Sequence, residues 1–225
     1  NMRPRDWLRI RDVIVDNYVA YDGFVVLHGT DTMAYTSAAL SYLIQGSPKP
    51  IVLTGSQRPM ASPFTDARLN LYQSMLYATD ERAHDVSVVF GSMVIAGTRA
   101  RKQRTMSFNA FNSVNFPVLA VIRGDRVVRA GSGRRHGSQT MRTYDKLNER
   151  VFVLKLTPEV SPAIFDLLRH DYDAVIVETF GIGGIPEYTD DQLGMTYEQA
   201  IFDWVDSGRT LVLTTQVPEE GLDLG

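Results

Sequence analysis

The segment FVVLHGTDTM, residues 24–33, joins an apolar run to a polar turn, and a helical pattern follows over residues 34–44. This order predicts a strand, a tight turn and a helix. An uninterrupted apolar run is typical of a parallel strand that is covered on both faces. Ligands of open α/β sheets bind beyond the carboxyl ends of the strands. The side chains of Thr30, Asp31 and Thr32 therefore predict a small-molecule site; the alternative is that they only cap the helix.

The same alternation of strand and helix patterns continues on both sides of this segment. Apolar runs predict further strands, and apolar residues at helical spacing predict further helices. The turn signal Gly124-Asp125 predicts a β-hairpin between residues 117–122 and 126–128. The other strands are predicted at residues 51–54, 86–90, 93–96, 151–156, 174–178 and 210–214, and the other helices at residues 4–18, 66–77, 161–169 and 195–206.

A change of composition divides the chain. Residues 131–149 are rich in glycine, serine and arginine and poor in apolar side chains, which is typical of a linker. Strands and helices alternate before and after it. We therefore predict an α/β protein of two domains. The larger, over residues 1–130, has a mostly parallel sheet flanked by helices, and the smaller α/β domain covers residues 150–225.

Composition narrows the functional classes. With 23 basic and 26 acidic residues among 225, no basic excess indicates a nucleic acid or an anionic membrane as partner. The chain has no cysteine and no apolar stretch long enough to span a membrane, and the spacing of its four histidines does not resemble a zinc site. Because Asn1-Met2 is not a translation start and the chain ends soon after a predicted strand, we expect residues to be missing at both ends.

Several ordered motifs resemble those of the bacterial-type L-asparaginases, over essentially the whole chain. HGTDTM is similar to the second signature of that family, and GTRARK resembles the segment that supplies its catalytic lysine. PFTDARLNL is similar to the form found in the cytoplasmic, type I branch. The matching segments are HGTDTM at 28–33, IVLTGSQRP at 51–59, PFTDARLNL at 63–71, GTRARK at 97–102, FGIGG at 180–184 and TTQ at 214–216.

The resemblance implies a flavodoxin-like larger domain and hydrolysis of L-asparagine to L-aspartate and ammonia without a cofactor. It assigns Thr30, Asp31 and Lys102 to the catalytic Thr–Asp–Lys group of the family, and Thr30 and Asp31 also to substrate binding. Ser56 and Gln57 lie on the loop whose backbone carbonyl, in the family, receives the substrate's side-chain amide. The family's nucleophilic threonine and an Asp-Ser substrate clamp fall upstream of Asn1, so half of the expected site is present.

Lys102 has a simpler interpretation as a solvated lysine, because it belongs to the basic run over residues 99–104. In the functional interpretation, Thr30 and Lys102 form a hydroxyl–amine pair, and Asp31 accepts a hydrogen bond from the substrate's α-ammonium group. A lysine takes a proton from a hydroxyl only in its neutral form. Burial and nearby cations favour that form, and a nearby carboxylate disfavours it.

Other residues near these motifs are predicted to be structural. His28 is interpreted as a packed, hydrogen-bonded residue rather than a general base. Asp66 is predicted to cap a helix, with a supporting role at the site as the alternative. Tyr35 and Tyr42 lie seven residues apart at helical spacing and are predicted to be core positions.

The resemblance also implies the partners. These are L-asparagine, with L-glutamine as a side substrate, and further copies of the chain in a cytoplasmic homodimer or homotetramer, with no nucleic acid or membrane partner. One methylene in a pocket is worth only about 1–3 kcal/mol, so discrimination against glutamine is limited. Two other functions stay open: the ammonia-donating subunit of a transfer-RNA amidotransferase, and a catalytically inactive amino-acid-binding module. The intact Thr30, Asp31 and Lys102 argue against the latter.

Overall fold

The computed structural model describes residues 2–129, 140–190 and 194–222. The chain divides into two compact units, Asn1–Leu147 and Asn148–Gly225. Helices and strands alternate in both units, so the predicted α/β class is confirmed. None of the helices in the described ranges is long and apolar enough to cross a membrane.

The first unit contains the elements that carry the predicted site. Its helices are α1 (Pro4–Asp16), α2 (Met33–Leu43) and α3 (Ala67–Ala78). Its strands are β1 (Phe24–Leu27), β2 (Ile44–Gln45), β3 (Pro50–Thr54), β4 (Asp85–Phe90), β5 (Met93–Ala96), β6 (Ala100–Lys102), β7 (Phe111–Ser113), β8 (Ala120–Arg123), β9 (Arg126–Arg129) and β10 (Arg142–Thr143).

Six strands of the described part form one mixed sheet, in the order β1-β3-β4-β5-β8-β9. The parallel portion is β1, β3 and β4, which α2 and α3 connect. The other three strands add in antiparallel order, so the sheet is less parallel than predicted. Tight turns explain this: Gly91 and Gly124 adopt φ values of 57° and 61°, which suit glycine in the turns of hairpins. The predicted hairpin is β8–β9.

The core covers both faces of this sheet. Alternate residues of β4 point to opposite sides: Val88 and Phe90 pack with the residues of α1 and α2, and Val89 packs in the cluster that contains Tyr77 of α3. The period of two in a strand produces this division. Helices on both faces leave the carboxyl ends of the parallel strands as the edge where loops gather.

Strand β1 lies at the edge of the sheet and is only half-buried. Its last residue, Leu27, is 67% exposed. Phe24 and Val26 pack against one core cluster and Val25 against the other, so the predicted cover on both faces is confirmed for these residues and is wrong for Leu27. Sequence pattern does not reveal whether a strand has a neighbour on each side, and in the described structure β1 pairs with β3 alone.

The buried face of α2 differs from the predicted one. Met33, Thr36, Ser37, Leu40 and Leu43 are buried, at the spacing of three and four that marks one side of a helix. Tyr35 and Tyr42 fall on the opposite side and are 66% and 63% exposed, so their prediction as core residues is wrong.

Two short ribbons were not predicted. Strand β6 pairs with β7, and β10 pairs with β2.

The described part of the predicted linker, residues 140–149, is divided between the two units, because β10 pairs with a strand of the first unit. Residues 130–139, which hold the rest of the linker, lie outside the described residues. The predicted extents of the larger domain (residues 1–130), the linker (residues 131–149) and the smaller domain (residues 150–225) stay predictions.

The second unit is a smaller α/β arrangement. Parallel strands β11 (Val151–Lys155), β12 (Ala174–Thr179) and β13 (Thr210–Thr215) form a sheet with β12 in the centre. Helices α4 (Ile164–Leu168) and α5 (Tyr197–Asp206) connect them. Trp204 and Tyr197 of α5 are fully buried and anchor that helix in the core of the unit.

Candidate active site

Three residues predicted for catalysis meet at the carboxyl end of β1. The ammonium group of Lys102 donates to Thr30 Oγ1 at 2.8 Å and to Asp31 Oδ1 at 2.6 Å. The side chain of Lys102 is 19% exposed and that of Asp31 is 92% exposed. Lys102 is therefore not a solvated lysine, and the site places a hydroxyl, an amine and a carboxylate together at a solvent-accessible edge.

The polar side chains of the turn at residues 28–33 do not cap α2. The helix has Thr32 at its N-cap position, and no side-chain hydrogen bond caps it. The side chains of Thr30 and Asp31 instead contact Lys102. The alternative interpretation, in which these polar residues serve only as caps, is wrong.

Lys102 reaches the site because its strand is fixed to α2. Strand β6 follows a turn at Gly97, whose carbonyl accepts a hydrogen bond of 2.8 Å from the buried Ser37 hydroxyl of α2. A Cβ at Gly97 would come within 2.5 Å of Ser41 Oγ and 2.9 Å of Val86 Cγ1, so only glycine permits this approach. The chain that carries Lys102 is thus held against the helix that begins beside Thr30 and Asp31.

A second close approach joins the loops after β1 and β3. The amide of His28 donates to the carbonyl of Thr54 at 2.8 Å, which continues the parallel pairing by one residue. A Cβ added to Gly55 would overlap the backbone oxygen of His28. The GSQ sequence of the β3 loop therefore begins with glycine for a steric reason, and the next residues lie beside Thr30.

Gln57 connects Thr30 with the chain beyond Lys102. Its side-chain oxygen accepts from Thr30 Oγ1 at 3.2 Å, and its side-chain nitrogen donates to the carbonyls of Arg104 and Ser107 at 3.4 and 3.2 Å. Thr30 Oγ1 thus accepts from Lys102 and donates to Gln57. Gln57 was predicted to lie on the loop that receives the substrate's amide, but no role was predicted for its side chain, because no local pattern indicates a contact over 27 positions.

Asp66 holds the loop that carries Ser56 and Gln57. It is 6% exposed, and its carboxylate accepts hydrogen bonds from the amides of Gln57 and Arg58 and from the side chain of Asn70. Asp66 occupies the N-cap position of α3, yet its side chain makes no capping hydrogen bond there. The prediction of a helix cap is wrong, and the alternative of a supporting role agrees with these contacts.

Electrostatics at the site centre on Asp31. The hydrogen bond and the positive charge of Lys102 hold the pKa of Asp31 below its usual value of 3.8. Asp31 is therefore a carboxylate at neutral pH. Its exposure leaves it accessible to a cationic group of a ligand.

Ser56 and His28 are the other two residues that were predicted to lie near the site. Ser56 is half-buried in the loop between Gly55 and Gln57, and its predicted substrate contact through the backbone carbonyl stays a prediction. His28 is hydrogen-bonded through both ring nitrogens, to Gly29 O and to Thr36 Oγ1.

In residues 2–129, 140–190 and 194–222, no group of three or more histidine, aspartate or glutamate side chains is placed to hold a metal ion.

The fold and the site define a class: an α/β protein with a hydroxyl, an amine and a carboxylate in contact at the carboxyl edge of its sheet. A family model described as asparaginase, N-terminal, matches residues 1–132. The chain belongs to the asparaginase family.

Its relatives include proteins of two functions. An L-asparaginase of Thermococcus kodakarensis is 34% identical over 99% of this chain, and L-asparaginase 1 of Escherichia coli strain K12 is 31% identical over 100% of it. A subunit of the glutamyl-tRNA(Gln) amidotransferase of Pyrococcus abyssi is 34% identical over 83% of the chain. The chain spans 66%, 65% and 45% of these relatives, respectively.

Solved structures agree with this assignment. The thermostable L-asparaginase from Thermococcus kodakarensis superposes with a TM-score of 0.90, and the match covers 99% of this chain and 66% of that one. The predicted fold class is therefore confirmed by a structure that is 34% identical in sequence.

Proposed function

We propose that the protein to which this chain belongs is an amidohydrolase that converts L-asparagine to L-aspartate and ammonia. Membership of the asparaginase family supports this, as do the names of the Thermococcus and Escherichia relatives. The observation that carries the proposal is the contact of Lys102 Nζ with Thr30 Oγ1 and Asp31 Oδ1. Lys102 lies 72 positions from Thr30, so the fold, not a local turn, brings an amine to this hydroxyl.

The proposed chemistry is attack by a threonine hydroxyl on the side-chain amide. Amide hydrolysis requires a nucleophile, a base that accepts its proton and donors for the oxyanion. Lys102 in its neutral form accepts the proton that the nucleophile passes on through Thr30, and it then protonates the amide nitrogen, which leaves as ammonia. Water next attacks the acyl–threonine ester, which releases L-aspartate and restores the hydroxyl. The family resemblance implies a separate nucleophilic threonine, and Thr30 with Lys102 serves as its proton-transfer pair.

Asp31 is the proposed contact for the α-ammonium group of the substrate. Its pKa lies below 3.8, so it is a carboxylate at neutral pH, and its 92% exposure allows a ligand cation to approach. An ion pair with hydrogen bonding is the strong form of such a contact. Ser56 is the proposed neighbour of the scissile amide, through its backbone carbonyl.

The proposed setting follows from the type I resemblance. The protein acts as a homodimer or homotetramer in the cytoplasm on small-molecule substrates, L-asparagine and more slowly L-glutamine. It uses no cofactor and has no nucleic acid or membrane partner. A net charge of −3 over this chain supports the absence of a polyanionic partner.

A second candidate function is the ammonia-donating subunit of a transfer-RNA amidotransferase. The Pyrococcus relative, 34% identical over 83% of the chain, favours it. Such a subunit would release ammonia for use by a partner protein, whereas an asparaginase releases it to solution. The dependence of turnover on a partner therefore separates the two functions.

The test is ammonia release by the purified full-length protein alone, with L-asparagine and L-glutamine compared at equal concentrations. The proposal predicts turnover of L-asparagine without any partner and slower turnover of L-glutamine. Release that needs a transfer-RNA amidotransferase partner and favours L-glutamine would replace it with the second candidate. No release from either amide, with a correctly folded protein, would contradict both.

A further inference from the structure

We propose that His28 is a positioning residue for Thr30, and that Trp7 and Thr36 select the tautomer in which it acts. The proposal rests on the proposed function, since it assigns a role at the same site. The geometry that supports it is a chain of hydrogen bonds from α1 through α2 to the turn that carries Thr30, in which the donor and acceptor of each bond follow for a neutral imidazole.

The chain begins at Trp7 of α1. An indole N–H donates and cannot accept, so Trp7 Nε1 donates to Thr36 Oγ1 at 2.9 Å. Thr36 is completely buried on α2. Its hydroxyl therefore has one lone pair occupied by Trp7, and its own proton is available for another acceptor.

The chain continues through the imidazole of His28. Its Nδ1 lies 2.6 Å from the carbonyl oxygen of Gly29, which only accepts, so Nδ1 carries the proton. In a neutral ring the other nitrogen then accepts, and Nε2 lies 2.9 Å from Thr36 Oγ1. The directions agree: Trp7 donates to Thr36, Thr36 donates to His28, and His28 donates to the Gly29 carbonyl.

This last hydrogen bond acts on the backbone of the site. The peptide that joins Gly29 to Thr30 is planar, so holding its carbonyl also sets the direction of the Thr30 amide and the position of its Cα. The amide of His28 is itself held by Thr54 O at 2.8 Å. The turn is thus fixed on one side by β3 and on the other by the His28 side chain.

The same contacts argue against a direct chemical role for the ring. Both nitrogens of His28 are occupied by Thr36 and Gly29, whereas Thr30 Oγ1 contacts Lys102 and Gln57. His28 therefore acts on Thr30 through the main chain. Small displacements of a reacting group lower catalysis strongly, so the expected effect is on kcat more than on KM.

The first test reads the tautomer by NMR of the full-length protein labelled with ¹⁵N-histidine, with His28→Asn identifying the resonance. The proposal predicts the neutral Nδ1–H form in the wild type and a mixture containing the Nε2–H form in Thr36→Val. Thr36→Ser, which retains the hydroxyl, is the matched control and keeps the wild-type spectrum. An Nε2–H tautomer in the wild type overturns the proposal.

The second test measures position and catalysis in the same variants, after thermal unfolding has shown that they fold. Thr36→Val is expected to shift the Thr30 amide resonance and to lower kcat for L-asparagine about tenfold, with KM changed less than about twofold. Thr36→Ser keeps both. An unmoved Thr30 amide overturns the proposal, as does wild-type kcat in Thr36→Val. If neither the wild type nor any variant releases ammonia, the proposed function fails. The NMR results alone then decide the role of His28.

Discussion

Replacing Asp66 by asparagine tests how the loop that carries Ser56 and Gln57 is held. The carboxylate of Asp66 accepts from the amides of Gln57 and Arg58 and from Asn70 Nδ2, at distances of 2.9–3.2 Å. An asparagine side chain offers one acceptor oxygen and places an NH2 group where the other oxygen was. At least one of these donors then faces another donor.

Asn70 cannot relieve this conflict by turning its amide. Its nitrogen donates to the Gly55 carbonyl at 2.9 Å, and its oxygen accepts from the Gly91 amide at 3.1 Å. A lost hydrogen bond to a charged group costs about 1.5–3 kcal/mol, and a buried donor without an acceptor adds about 1–3 kcal/mol. Allowing for relaxation, we expect Asp66→Asn to lower the free energy of unfolding by about 2–4 kcal/mol.

Urea unfolding of the full-length protein measures this change by linear extrapolation. The matched control is Asp125→Asn, at an exposed position of the β8–β9 turn where asparagine is equally suited. It should change the free energy of unfolding by less than about 0.5 kcal/mol. The reasoning is refuted if Asp66→Asn is no more destabilising than the control. Because Gln57 contacts Thr30, Asp66→Asn should also lower kcat for L-asparagine.

Three further perturbations follow from the contacts of the first unit. Lys102→Met removes the cause of the low pKa of Asp31, so that pKa should rise toward 3.8 in a carboxyl ¹³C NMR titration; an unchanged value would contradict the contact. Gly55→Ala should destabilise by about 1–3 kcal/mol in urea unfolding, because its Cβ overlaps backbone, and neutral behaviour would show that the loops are not in contact. Burial raises the pKa of Asp80, but the hydrogen bonds from Arg129 and from the Arg82 amide, together with the charges of both arginines, outweigh it and leave that pKa below 3.8. The unfolded chain therefore takes up the proton first, so the stability that Asp80 contributes is present above pH 3.8 and is lost below it. Wild type and Asp80→Asn should converge in stability only in that acid range.

Local sequence pattern predicted most of the helices and strands, because the pattern of each one lies within its own segment. The apolar run before the turn, the helical spacing after it and the Gly124-Asp125 hairpin signal correspond to β1, α2 and the β8–β9 pair. The exposure of Leu27 was not predictable, since it depends on what lies beside β1. Tyr35 and Tyr42 were misassigned because spacing identifies one face of a helix but not which face the core covers.

The candidate site was predictable only where a motif held several of its residues. Thr30 and Asp31 share one turn, and the position of Lys102 came from the resemblance of its segment to a known family, not from any pattern that joins it to Thr30. Gln57 and Asp66 act through contacts between loops, which depend on the close approach at Gly55. Such contacts arise from tertiary packing and leave no periodic trace in the sequence.

The most direct test of the central claim is the kcat of full-length Lys102→Met for L-asparagine, measured by ammonia release. If Lys102 moves the proton of Thr30, kcat should fall at least about a hundredfold, the range expected for loss of an acid–base group. Lys155→Met, at an exposed position of β11, is the matched control and should keep the wild-type rate. A Lys102→Met enzyme that turns over L-asparagine within about threefold of wild type would contradict the proposed site.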